Sequence, residues 1–126
     1  MSKDKPTGGD QRHEPPQAIL DFAEKVIQGS LMRFDVLRFF HENPYAILTI
    51  SDLSVWMSRE ERPLAEALQQ LASLGYLTQS PASSAFVLTS DREKRRRLEE
   101  LFDFLEQNPD AAKEMRARLR GRGEAD

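Results

Sequence analysis

The sequence predicts a mainly α-helical domain that carries one small β-hairpin. Apolar residues repeat at three- and four-residue spacing over most of the chain from Gln17 onward, a pattern typical of amphipathic helices. Two short apolar runs, Tyr76–Gln79 and Ala85–Thr89, flank a turn-rich pentapeptide and predict the hairpin. The chain has 126 residues, and this length fits a single domain.

The first residues differ in composition from the rest of the chain. Residues 1–16 contain Gly-Gly, Pro-Pro and mixed charges, with almost no apolar side chains to offset the entropy of ordering. We therefore expect a disordered tail at 1–16, a domain at 17–120 and a frayed C-terminus at 121–126.

Composition excludes several classes of chemistry. The chain has no cysteine, which excludes disulfides, thiolate metal sites and cysteine nucleophiles. Its two histidines, His13 and His41, have no partners at metal-ligand spacing. No apolar run approaches the ~18–20 residues that span a bilayer. We expect a cytoplasmic protein that is not an enzyme, needs no metal or cofactor, and does not enter a membrane.

Two helices are predicted before the middle of the chain. The segment after Pro16 places Ile19, Phe22 and Val26 on one stripe and stops at Gly29. A second helix starts at Leu31 and has too many apolar residues for one face, so it should be largely buried. Asn43-Pro44 ends it, because a residue before proline is pushed out of the α region.

A short helix and a longer one follow an extended run at 45–50. Ser51 is a suitable N-cap for a brief helix over Asp52–Met57. The next helix begins either at Pro63, as its first residue, or earlier, with a capping box formed by Ser58 and Glu61. Spaced leucines continue this helix to a stop at Gly75.

Two more helices are predicted after the hairpin. Ser90 and Glu93 form a capping box that starts a helix over Asp91–Gln107, and Asn108-Pro109 separates it from a last helix. The basic run Arg92–Arg97 lies on the first of these helices. Acidic residues follow it at i, i+4 spacing, which favours an internally paired, solvated face over a nucleic-acid site.

The middle of the chain resembles the winged helix-turn-helix superfamily. The resemblance rests on Ala67-Leu-Gln-Gln-Leu-Ala-Ser-Leu-Gly-Tyr-Leu77, which is similar to the end of that family's recognition helix, and on the order of elements in a winged unit at 31–89. Leu53, Trp56, Met57 and Leu64 occupy apolar places of the two-helix pattern. With flanking helices on both sides, the chain looks like the MarR and PadR groups of bacterial transcriptional regulators.

The resemblance implies a homodimeric regulator that binds double-stranded DNA. The residues that it places against DNA lie on the recognition helix and the wing: Arg59, Arg62, Glu66, Gln69, Gln70, Ser73, Ser83 and Ser84. The flanking helices would form the dimer interface through their apolar stripes: Ile19, Phe22, Val26, Leu98, Leu101, Phe102 and Leu105.

An alternative function is a winged helix that binds another protein and not DNA. Glutamates at Glu60, Glu61 and Glu66 surround the predicted recognition region, and the hairpin loop has no charge. Such a surface suits a protein partner, since non-specific DNA affinity comes mainly from clustered Lys and Arg. We expect Trp56 to pack in the core, with a role as a partner-binding aromatic as its alternative.

Overall fold

A computed structural model describes the backbone of residues 16–125 and the side chains of residues 16–119. The predicted tail, apart from Pro16, lies outside these residues. The elements in chain order are α1 (Gln17–Phe22, continued by a π-helical turn over Ala23–Ile27), α2 (Leu31–Glu42), α3 (Ile50–Met57), α4 (Glu61–Ser73), β1 (Leu77–Gln79), β2 (Phe86–Leu88), α5 (Arg92–Gln107) and α6 (Pro109–Ala125). The mainly helical class with one hairpin is confirmed. The backbone of α6 stays helical beyond Gly121, where fraying was expected.

Helix α2 forms the centre of the molecule. Phe34, Val36, Leu37 and Phe40 are each at most 1% exposed, as expected of a helix with apolar residues around most of its circumference. They pack against α1, α4, α5, α6 and β2. The helix begins where Ser30 accepts a hydrogen bond from the backbone N–H of Arg33 (3.1 Å). The five elements that contact α2 are therefore positioned relative to it.

The starts of α3 and α4 differ from the predicted ones. Thr49, not Ser51, is the N-cap of α3, and it forms a capping box with Asp52. Helix α4 begins at Glu61, so Pro63 is its third residue. Neither predicted start is correct. Proline fits this position because backbone N–H groups in the first helical turn have no intrahelical partner.

The end of α4 confirms the prediction at Gly75. Its φ of 88° is a left-handed conformation, in which a side chain would be strained. The backbone N–H of Tyr76 donates to the carbonyl of Leu71 (3.0 Å), and that of Gly75 donates to Ala72 (3.0 Å), which is a Schellman motif. A Cβ on Gly75 would lie 2.9 Å from Cε of Lys94. Glycine thus directs the chain from α4 into the hairpin.

The hairpin is antiparallel, and Thr78 lies opposite Val87. The extended run predicted at 45–50 is reduced to one bridge, in which Leu48 and Phe86 exchange hydrogen bonds of 3.2 and 2.8 Å. This bridge joins the segment before α3 to the outer edge of β2. It therefore fixes the hairpin relative to α3 and α4.

The flanking helices pack within the single chain, which corrects the predicted dimer interface. The ring of Phe22 packs edge-on against the ring of Tyr76, with 5.3 Å between the ring centroids. The ring centroids of Phe34 and Phe102 lie 5.6 Å apart. All seven predicted interface residues are at most 7% exposed and belong to the core: Ile19, Phe22, Val26, Leu98, Leu101, Phe102 and Leu105. The stripes of α1 and α5 cover each other and α2, so they leave no such surface for a partner. The homodimer itself stays a prediction.

We expect Leu71→Ala to lower the free energy of unfolding by about 2–5 kcal/mol, because the side chain is fully buried and its removal leaves a cavity. Leu74→Ala is the matched control, since Leu74 is 37% exposed at the end of the same helix. Urea denaturation of both variants measures the difference. Equal losses in the two variants would contradict the packing described for α4.

A second prediction concerns the start of α5, where the N-cap is Asp91 and not Ser90, so the predicted capping box of Ser90 and Glu93 is wrong. The backbone N–H of Lys94 donates to Oδ1 of Asp91 (3.0 Å), and this bond lowers the pKa of the carboxyl group. A carboxylate with a lowered folded-state pKa stabilises the fold above its unfolded-state pKa, about 4. That contribution is lost as the pH falls through the folded-state pKa.

We therefore expect Asp91→Ala to lower the urea midpoint at neutral pH, with a difference from wild type that narrows as the solution is acidified. Urea denaturation at a series of pH values checks this expectation. A difference that stays constant with pH would assign the effect to helix propensity and not to the charged cap.

Candidate interaction surface

The outer face of α4 carries several of the side chains predicted to contact DNA. Arg62 lies at its start, and three more predicted residues are exposed further along: Glu66, Gln69 and Ser73. Ser83 and Ser84 are exposed in the hairpin loop, where Ser84 has a positive φ of 61°. Gln70 is exposed as well, so the structure leaves seven of the eight predicted residues on the surface.

A cleft joins this face to the hairpin and to the start of α3. It has a volume of about 530 Å³, and Arg62 and Ser84 line it together with Glu61. Ser51 donates a hydrogen bond to Oε2 of Glu61 (3.4 Å) across the cleft. The carboxylate beside Arg62 offsets the one positive charge in the lining, so the cleft is a poor site for a phosphate group.

Arg59 does not lie on this surface, which corrects its assignment as a DNA contact. Its guanidinium forms an ion pair with Oδ2 of Asp35, and Arg116 donates to Oδ1 of the same carboxylate (2.7 Å). Asp35 is on α2, with its side chain 12% exposed. The guanidinium of Arg116 also lies over the ring of Phe34 (5.6 Å). Asp35 and its two arginines, Arg59 and Arg116, form the Asp35 clasp, which joins the α3–α4 turn to α6.

Gln70 is exposed like the other predicted residues of α4, and it also has a structural role. Its Oε1 accepts hydrogen bonds from Nε (3.1 Å) and Nη2 (2.5 Å) of Arg33. Nη1 of Arg33 donates to the carbonyl of Val26 (2.8 Å), which lies in the π-helical turn. Burial lowers the pKa of Arg33, but guanidinium groups stay protonated in proteins. Arg33 therefore links α1 to α4 as a buried cation, and Gln70 is one of its acceptors.

Helix α3 exposes two large apolar side chains, contrary to the expectation for Trp56. Val55 is 79% exposed and Trp56 is 71% exposed. The helix turns Ile50, Leu53 and Met57 inward at i, i+3 and i+7, and this phase leaves the outer face to Ser51, Asp52, Val55 and Trp56. The predicted helix over Asp52–Met57 left out Ile50, and without it the i, i+3, i+7 stripe that excludes Trp56 is incomplete.

The extended segment before α3 adds two more exposed apolar residues. Tyr45 is 87% exposed and Ile47 is 67% exposed, whereas Ala46 and Leu48 turn toward the core. This alternation follows from the two-residue period of extended backbone. Four exposed large hydrophobic residues therefore lie within one stretch of the sequence, 45–56.

The basic run of α5 is internally paired, as expected, although with other partners in part. Arg96 forms ion pairs with Glu93 (2.6 Å) and Glu100 (2.6 Å), and the bond from Arg96 lowers the pKa of Glu93. Arg95 donates to the carbonyl of Thr89 (2.6 Å) and not to Glu99. These arginines are engaged with their own chain, so this helix face offers little free positive charge.

The flanking helices keep one apolar groove on the surface. It lies between α1, the C-terminal part of α5 and α6, and has a volume of about 860 Å³. Leu20, Ala23, Phe104 and Met115 are among the residues that line it. A second copy that met these helices would therefore contact the groove and not the buried stripes.

No protein-family model, curated protein or solved structure gave a match. Within residues 16–125, no helix combines the length and apolar composition needed to cross a bilayer. In the same part of the chain, no cluster of three or more Asp, Glu or His side chains is suited to hold a metal ion.

We expect Asp35→Asn to lower the free energy of unfolding by about 1–3 kcal/mol, between the values for exposed and for buried ion pairs, because it leaves two arginines side by side. The matched control is Glu42→Gln, which breaks the exposed pair with Arg38 and should change stability by less than about 0.5 kcal/mol. Thermal denaturation followed by circular dichroism measures the stability of both variants. An Asp35→Asn variant as stable as the wild type would show that the ion pairs of Asp35 do not stabilise the fold.

Proposed function

We propose that this protein is a winged-helix module that binds another protein. The order of α2, a bridged extended segment, α3, α4 and the hairpin supports the winged-helix assignment. In that arrangement the single bridge of Leu48 takes the place of the first strand of the wing. The α1, α5 and α6 helices flank the unit on its other sides.

The observation that carries the proposal is the exposure of Trp56 beside Val55. Large apolar side chains that point into solvent on adjacent positions of one helix mark interaction sites more often than scattered ones do. Tryptophan is also among the residues most enriched at the energetic centres of protein interfaces. Burial of the indole by a partner protein accounts for a side chain that the fold itself does not use.

The charges of the same region favour a protein over DNA. Residues 49–66 contain four carboxylates and two arginines, and Arg59 is turned inward onto Asp35. The hairpin loop at 80–84 has no charged residue. A duplex laid across α4 and the hairpin would meet more negative than positive charge, which opposes binding to phosphates.

DNA binding as a homodimeric regulator is the second candidate. It is favoured by Arg62, Gln69 and Ser73, which are exposed along α4, and by the position of Ser84 in the same cleft as Arg62. Glutamine can pair with adenine in the major groove, and arginine can contact guanine or phosphate. Such a complex would depend on few phosphate contacts.

The first test is a titration with duplex DNA of random sequence at low salt, followed by fluorescence anisotropy. Binding through phosphate contacts weakens steeply as salt is added. We expect such binding to be absent, because the surface has few cations that could displace counterions from the DNA. Binding that weakens steeply with salt, and that Arg62→Ala abolishes, would instead establish the DNA-binding candidate.

The second test compares proteins captured from host lysate by the wild type, by Trp56→Ser and by Leu20→Ser. Leu20 is the matched control, because it is 46% exposed and lies on α1. We expect partners retained by the wild type and by Leu20→Ser to be lost by Trp56→Ser, whose melting curve should be nearly unchanged. Capture of the same proteins by the wild type and by Trp56→Ser would contradict the proposal.

A further inference from the structure

We propose that the outer face of α3 binds a cationic apolar segment of the partner protein, in which arginine or lysine alternates with apolar side chains. This inference rests on the proposed function and adds the chemistry of the partner. The face consists of Ser51, Asp52, Val55 and Trp56, which are all exposed. The carboxylate of Glu61 borders it through its hydrogen bond from Ser51, and exposed Glu60 precedes Glu61 in the chain.

The geometry of α3 brings the carboxylates close to the apolar pair. Asp52 precedes Trp56 by four residues, so the two side chains lie one turn apart on the same face. Ser51 precedes Val55 by the same spacing, and its hydroxyl donates to Glu61 (3.4 Å). A segment seated on Val55 and Trp56 therefore lies beside negative charge at the start of both α3 and α4.

Neither arginine of this region forms an ion pair with that border. Arg59 faces Asp35, and Arg62, which lines the cleft together with Glu61, has no carboxylate within 4 Å among the described residues. Within residues 16–119, the cation–π contacts involve the rings of Tyr76 and Phe34, and none involves Trp56. The indole face is thus open to a guanidinium or ammonium group of the partner, a contact that is strongest for tryptophan.

The chain's own basic helix supplies few of the missing cations. Arg96 is held by Glu93 and Glu100, Arg97 lies 3.6 Å from Glu93, and Arg95 is bound to a backbone carbonyl. Arg92, at the start of α5, is exposed and outside these pairs, so among the described residues of this helix a second copy would offer one free cation there and would have to break pairs to offer more. A different protein with free cations fits the surface better.

Trp56 makes the test direct, because it is the only tryptophan of the chain. Its emission and its quenching by acrylamide report on this face alone. The probes are two synthetic amphipathic peptides of equal length, one of leucine and arginine and the other of leucine and glutamate, and a random duplex DNA. We expect the arginine peptide to shift the emission to the blue and to protect Trp56 from acrylamide, with an affinity that falls as salt is added.

Single substitutions on and away from the outer face of α3 show which side chains contribute to the affinity for the arginine peptide. Glu60→Gln and Glu61→Gln should each weaken the arginine peptide roughly two- to fivefold, the range expected for exposed charge pairs. Val55→Ser should weaken it as well, while Glu106→Gln, which neutralises an exposed carboxylate near the end of α5, should leave the affinity unchanged. Circular dichroism melts confirm that each variant is folded.

Three outcomes would overturn the inference: no shift with the arginine peptide, an equal shift with the glutamate peptide, or a larger shift with DNA. These results can be separated from a failure of the proposed function. Partners that are captured through Trp56 but present an acidic or uncharged segment would leave the interaction module standing and would remove only the cationic chemistry.

Discussion

The burial of α2 is the constraint on which the rest of the fold depends. Four of its side chains have at most 1% of their surface exposed, and they require covering elements on several sides. α1, α4, α5, α6 and β2 supply that cover. The domain has too few residues to bury a separate core under the flanking helices, so these helices complete the core of α2 and are not an independent layer.

Two polar links keep the covering helices in register. Arg33 and Asp35 both belong to α2, and each joins an N- or C-terminal flanking helix to the α3–α4 unit. Apolar contacts are tolerant of small rotations, whereas a guanidinium with three directed hydrogen bonds, as in Arg33, is not. These links therefore give the packing its specificity, and they engage the guanidinium of Arg59 and Oε1 of Gln70 within the fold.

Sequence periodicity predicted most of the fold. It located each helix and the hairpin, and Asn43-Pro44, Gly75 and Pro109 marked boundaries through backbone chemistry that depends on one or two residues. Long-range partners could not be predicted, because the acceptor of Arg33 lies 37 residues away and that of Arg116 lies 81 residues away. The outward orientation of Trp56 was missed for a local reason. The predicted helix began two residues too late and left out Ile50, which with Leu53 and Met57 completes the inward stripe from which Trp56 is absent.

The π-helical turn at Ala23–Ile27 gives α1 a break in its periodicity. Five residues complete a turn that an α-helix would close with four, so the stripe before the turn and the stripe after it are offset by one residue. Removal of one residue from this turn would restore regular α-helix and rotate Gln17–Phe22 by about 100° around the helix axis. Ile19 and Phe22 would then leave the core. The length of this segment is thus as important as its composition, and it should tolerate substitutions far better than deletions.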